Sequence, residues 1–148
     1  MEHILKLQRD HVSILSIVNW LAKEIDEVIS EKTDNKLLNQ RAVRYILLAL
    51  TVEDGISQND LVRVTHLKGS TISLAIKKME NESLIVKKAD SYDKRAYRIF
   101  LTNEGERLKK QVDSIMNELA EKALQGVTKR DEDASLYVLF KMIENITE

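Results

Sequence analysis

A chain of 148 residues with 43% apolar and 32% charged side chains can close one core, is short for two, and is too apolar to stay disordered. It has no cysteine, which excludes disulfides, thiolate zinc sites and thiol redox switching; with no proline and only four glycines, long helices are expected. The net charge of −1 hides an asymmetry: residues 57–101 carry nine basic side chains against five acidic, a net of +4, and the remainder sums to −5.

No run approaches the roughly 20 apolar residues that span a bilayer, and Met1-Glu2-His3 lacks the basic start of a signal peptide. A cytoplasmic protein with no membrane partner is expected. Ile4, Leu7, His11, Ile14, Val18, Leu21, Ile25 and Val28 recur at helical spacing, predicting a first helix over 4–31. A second apolar run, Val43 to Leu50, follows Asn39 as an expected N-cap and stops before Glu53-Asp54-Gly55. Ser57-Gln58-Asn59-Asp60 resembles a capping box and opens a short helix with Leu61 and Val64 directed inward.

His66-Leu67-Lys68-Gly69 then turns the chain, and Ser70 or Thr71 is the expected cap of the next helix. There Ile72, Ile76 and Met79 share one face, leaving Thr71, Ser73, Leu74, Lys77 and Lys78 largely elsewhere, free to read a ligand. Two β-type runs, Leu84–Lys88 and Ala96–Leu101, flank a seven-residue tip from Ala89 to Arg95. Thr102 caps a helix with Glu104 and Glu106 in its first turn and Leu108, Val112, Ile115, Leu119 and Ala123 along one stripe, ending near Gly126. A last helix from about Arg130 aligns Leu139, Met142, Ile143 and Ile146.

This order gives a mainly α fold with a small β-hairpin wing: a winged helix-turn-helix core plus N- and C-terminal helices. Two helices joined by a glycine-containing turn and followed by a basic hairpin suit double-stranded DNA. One helix fits the major groove, and hairpin cations reach phosphates or the minor groove. The residues expected at DNA are Lys68, Ser70, Thr71, Ser73, Lys77, Lys78, Lys88, Lys94 and Arg95.

Asp93-Lys94-Arg95 through Leu101-Thr102-Asn103-Glu104-Gly105 resembles the D-x-R and L-T-x-x-G wing signature of the MarR family of transcription regulators. Leu61-Val62, Thr71-Ile72-Ser73, Ile76, Met79 and Leu84-Ile85-Val86-Lys87 fit the same family without a gap, so the resemblance covers essentially the whole chain. It implies one domain over 1–148, with the helix-turn-helix at 57–82, the wing at 84–101 and dimerisation helices at 4–31 and 102–147. It implies a homodimeric repressor on an inverted repeat. It also assigns Arg95 to the minor groove and Asp93 to orienting that guanidinium. Two departures stand out: Ser83 where the family commonly has glycine, so that the turn geometry there is open, and Ala89-Asp90-Ser91-Tyr92 where the wing usually has proline or glycine.

The family also implies a small-molecule effector as a partner, whose binding site stays unassigned. Trp20 and Tyr45 are read as ordinary core aromatics in preference to a ligand cleft. The histidines are His3, His11 and His66, with none in the fifth helix, so no metal and no cofactor is expected. No P-loop, G-x-G-x-x-G, H-E-x-x-H or nucleophile elbow occurs, which argues against an enzyme. The competing reading is a winged-helix module that binds a protein instead of DNA.

Overall fold

A computed structural model describes residues 13–93 and 96–147, which divide after Ile115 into two compact units. The first unit opens with α1 (Ile14–Lys32), whose N-cap Ser13 is extended and accepts a hydrogen bond from the Ser16 amide at 3.2 Å. Of the helix expected over 4–31, the described part starts after Ser13 and runs to Lys32. Residues 4–12 lie outside the described residues. Ile29 is buried, whereas Ile14, Leu15, Ile17, Val18, Trp20 and Leu21 leave an apolar face exposed.

Asn35, and not Asn39, is the capping asparagine: its side chain accepts from the Leu37 amide at 3.0 Å and starts a 3-10 turn, Lys36–Asn39. Gln40 then precedes α2 (Arg41–Ala49) without a side-chain cap bond. Asp26 ties α1 to this segment, accepting from Arg41 Nε at 2.8 Å and pairing with Arg44, whose side chain is buried and also donates to the Leu38 carbonyl at 2.5 Å. A buried guanidinium needs those acceptors, because an uncompensated charge in the interior is strongly destabilising.

A two-residue strand, β1 (Ile56–Ser57), leads into α3 (Gln58–Thr65) and α4 (Gly69–Asn81). The hairpin strands β2 (Ile85–Ala89) and β3 (Tyr97–Leu101) pair antiparallel with Ile85 opposite Leu101 and Lys88 opposite Arg98. β1 joins them as the far strand, Ile56 opposite Ile99, giving the order β1-β3-β2. The core draws Val43, Ile46 and Leu47 from α2, Leu50 from its C-cap, Leu61 from α3, Ile72, Ala75, Ile76 and Met79 from α4, and Ile85, Ile99 and Leu101 from the strands. Val64, expected inward, is 56% exposed.

Helix α5 (Asn103–Ala123) starts from Thr102, as its sequence predicts: Thr102 Oγ1 accepts from the Gly105 amide at 3.0 Å and donates to the Ser83 carbonyl at 2.7 Å. A Cβ on Gly105 would stand 2.1 Å from the Leu84 carbonyl oxygen, so only glycine lets α5 approach the entry to β2 this closely. Leu108, Val112 and Ile115 are buried behind it, and Lys109 Nζ reaches the Leu48 and Leu50 carbonyls at 3.1 and 2.8 Å, satisfying the end of α2.

In the second unit, α5 ends before a turn in which Gly126 has φ +78°, and α6 (Lys129–Thr147) begins one residue ahead of the expected Arg130. No α6 residue is buried; Leu136, Tyr137, Phe140, Ile143 and Ile146 stand exposed. No helix among the described residues is long and apolar enough to cross a membrane.

Candidate nucleic-acid interface

The helix-turn-helix is set by local bonds. Ser57 Oγ accepts from the Asp60 amide at 3.1 Å and donates to its carboxylate at 2.7 Å, so the N-cap hydroxyl makes both bonds that open α3. Thr65 Oγ1 donates back to the Leu61 carbonyl at 2.6 Å, and His66 ends the helix in the left-handed region at φ 56°. Lys68, extended at φ −65° and ψ 144°, is the N-cap of α4, and its carbonyl accepts from the Ile72 amide at 3.0 Å. Ser70 and Thr71 therefore sit inside the first turn and cap nothing, contrary to expectation. A Cβ on Gly69 would meet nothing, so this end of α4 faces open space.

With Ile72, Ala75, Ile76 and Met79 buried, the helical period puts Ser70, Leu74, Lys77 and Asn81 along the middle of the opposite face. Thr71 and Lys78 flank it on one side and Ser73 on the other. All are exposed except Lys78, which is half-buried and donates from Nζ to Gln40 Oε1 at 2.9 Å. Ser73 Oγ accepts from Gln58 Nε2 at 2.6 Å. Of the cations expected on this face, Lys68 and Lys77 are exposed and in no ion pair among the described residues, while Lys78 is tied to α2.

Ser83 enters β2 with φ 57°, so serine occupies the left-handed turn that favours glycine. Lys87 Nζ meets Glu80 at 2.8 Å, joining β2 to α4, and Lys88 Nζ lies 4.6 Å from the centre of the Phe100 ring. Where β2 gives way to the tip, Asp90 Oδ1 accepts from the Tyr92 and Asp93 amides at 2.7 and 3.2 Å, and its second oxygen accepts from Arg98 Nε at 2.5 Å. These amides, then Arg98, hold the Asp90 carboxyl below the usual carboxylate range. Arg98 also donates to the Gly55 carbonyl at 2.9 Å, and a Cβ on Gly55 would lie 2.3 Å from the Phe100 ring. The wing is thus bolted to the turn before β1. Tyr92 projects from its tip, 96% exposed. Lys94 and Arg95 lie outside the described residues, and with them the expected contact of Arg95 with Asp93.

Sequence reading missed four positioning residues: Gln40, Gln58, Asp90 and Arg98. Only Asp90 left a signal, as a turn aspartate ahead of two amides it can cap. Trp20 and Tyr45 are not core aromatics, being 49% and 44% exposed. Trp20 Nε1 donates to Glu24 at 2.7 Å, and Tyr45 borders an open groove of about 530 Å³ with Leu48, Ala49, Val64 and Thr65.

Residues 40–96, spanning α2 through most of the wing, match the MarR family. The chain is 25% identical over 134 residues to YybA of Bacillus subtilis (strain 168), an uncharacterized HTH-type transcriptional regulator, covering 90% of this chain and 88% of that one. Its fold is similar to that of a regulator from Listeria monocytogenes assigned to the MarR family and crystallised with a 26mer DNA, with a TM-score of 0.77, 27% identity and coverage of 91% of this chain and 89% of that one. The PcaV regulator of Streptomyces coelicolor, solved with its natural ligand, shares the fold at a TM-score of 0.77 and 20% identity, covering 95% of this chain and 96% of that one. A capped helix-turn-helix, a wing clamped by Thr102 and Gly105, and these likenesses together make the chain similar to the MarR family of winged helix-turn-helix, DNA-binding transcription regulators.

Proposed function

We propose that the protein is a homodimeric repressor that binds an inverted-repeat operator, laying α4 in the major groove and the wing tip, with Lys94 and Arg95, in the adjacent minor groove. The observation that carries this reading is the outer face of α4: Ser70, Thr71, Leu74 and Lys77 are exposed together on a helix whose opposite face is buried, beside a rigidly tied hairpin. Lys68, Lys77 and Lys88 are the phosphate contacts of the described region; Ser70, Thr71 and Ser73 are offered to base edges. Lys78 contributes by fixing α4 against Gln40. The regulator from Listeria monocytogenes solved with DNA supports this docking.

The apolar side chains that α1 and α6 leave exposed support the dimer, since such faces seek a partner. Two-fold symmetry then requires two half-sites about 34–36 Å apart, centre to centre. Release by a small molecule belongs to the same reading, supported by the PcaV structure with its natural ligand, and a cytoplasmic address follows from binding DNA. Footprinting on a site selected from a random-sequence pool tests it. Two protected half-sites with dyad symmetry are expected, and a single or direct-repeat footprint contradicts the dimer.

A further inference from the structure

At the centre of the exposed face of α4 stands Leu74, 58% exposed. Its neighbours along that face are Ser70, Lys77 and Asn81, and no other exposed large hydrophobic lies on α4. The polar groups beside it are partly engaged already: the Ser73 hydroxyl accepts from Gln58, and the Lys78 ammonium is held by Gln40. The side chain nearest the middle of the helix's outer surface is therefore a leucine, with no hydrogen-bonding capacity.

Of the features that base pairs present in the major groove, one is apolar, the C5-methyl of thymine; the rest are donors and acceptors. A leucine pressed against donors and acceptors strips them of water and returns no bond, which is unfavourable. Against a methyl group it removes apolar surface of both partners from water. We infer that Leu74 is a specificity-determining residue that reads the 5-methyl group of a thymine, one in each half-site. The inference rests on the reading of α4 as the major-groove helix. It adds the chemical group that the centre of α4 selects.

The test uses full-length protein and duplexes selected from a random-sequence pool, remade with deoxyuridine in place of thymidine, one position at a time. Uracil pairs as thymine does and lacks only the methyl. Wild type is expected to lose about fourfold in affinity at one thymine per half-site, the effect of exposing one methyl-sized group. Leu74→Ala is expected to bind the thymine and uracil duplexes alike. The thymine-to-uracil ratio stays constant with salt, because methyl burial is not Coulombic, whereas overall affinity falls with salt. Equal binding of thymine and uracil duplexes by wild type, or methyl sensitivity that survives in Leu74→Ala, overturns the inference and leaves the DNA reading standing. Failure of wild type to select any duplex overturns both. Leu74 is solvent-exposed, so Leu74→Ala keeps its fold, which its unfolding midpoint checks.

Discussion

Thr102 and Gly105 give the family's wing motif its physical meaning. One hydroxyl bonds both the Ser83 carbonyl and the Gly105 amide, and the missing Cβ of Gly105 leaves room for the Leu84 carbonyl. Gly105→Ala should therefore destabilise the fold by roughly 2–3 kcal/mol through forced overpacking against backbone, measurable by denaturant unfolding. Ser83→Gly should act in the opposite direction. It relieves a left-handed serine at some cost in unfolded-chain entropy, for a net gain of roughly 0.5–1 kcal/mol. Asp26 is held below the usual carboxylate range first by the hydrogen bond from Arg41, with burial opposing and Arg44 adding to the fall. A carboxyl depressed in the folded state stabilises fully above its unfolded pKa and loses that contribution as pH falls through the folded value. Asp26→Asn should cost about 2 kcal/mol at neutral pH, with the gap to wild type closing below about pH 4 in thermal unfolding across pH. The capping residues Ser57, Asp60 and Thr102 were legible in the sequence because their partners lie three residues away. Asp26 with Arg44, Gln58 with Ser73 and Lys78 with Gln40 were not, since 18, 15 and 38 residues separate them.

Among the elements, α3 shows where periodicity fails. Over eight residues the inward face follows Leu61, Val62 and Thr65, because Thr65 hides its hydroxyl on the Leu61 carbonyl and presents its methyl, leaving Val64 a quarter turn too far round. β1, at two residues, is too short to carry an alternation at all. The hairpin was readable within one residue, since two β-type runs flank a polar tip and pair in register. What fixes the wing in place was not readable: Arg98, held by Asp90, donates to the Gly55 carbonyl 43 residues away. This tie gives a prediction with an unusual sign. Asp90→Asn removes a negative charge near DNA, which by Coulomb's law alone strengthens binding, yet loss of the Arg98 tie should loosen the wing and weaken it several-fold. In an Arg98→Ala background the same change should add little, which a double-mutant cycle on DNA affinity measures.

For the whole molecule, charge is divided as the proposed function needs: a basic middle of +4 carries the helix-turn-helix and wing, and −5 falls on the remainder. That division, the helix order and the wing are legible in the sequence. The N-cap at Ser13 is not, because an extended cap residue leaves the apolar spacing of the sequence unchanged. The exposed faces of α1 and α6 predict a dimer at micromolar concentration in sedimentation equilibrium; replacing Phe140 and Ile143 together by aspartate should shift it toward monomer. Lys77→Ala should lower DNA affinity on all sequences and make the dependence of log K on log salt shallower by roughly one. The central claim is that this surface binds DNA through phosphates and the wing. It is tested most directly by titrating wild type and Arg95→Ala against the selected operator at several salt concentrations. The account predicts tight binding by wild type that falls steeply with salt, and weaker binding with a shallower slope for Arg95→Ala. Salt-insensitive binding, or no binding to any duplex in the pool, would contradict it and turn attention to a protein partner for the same face.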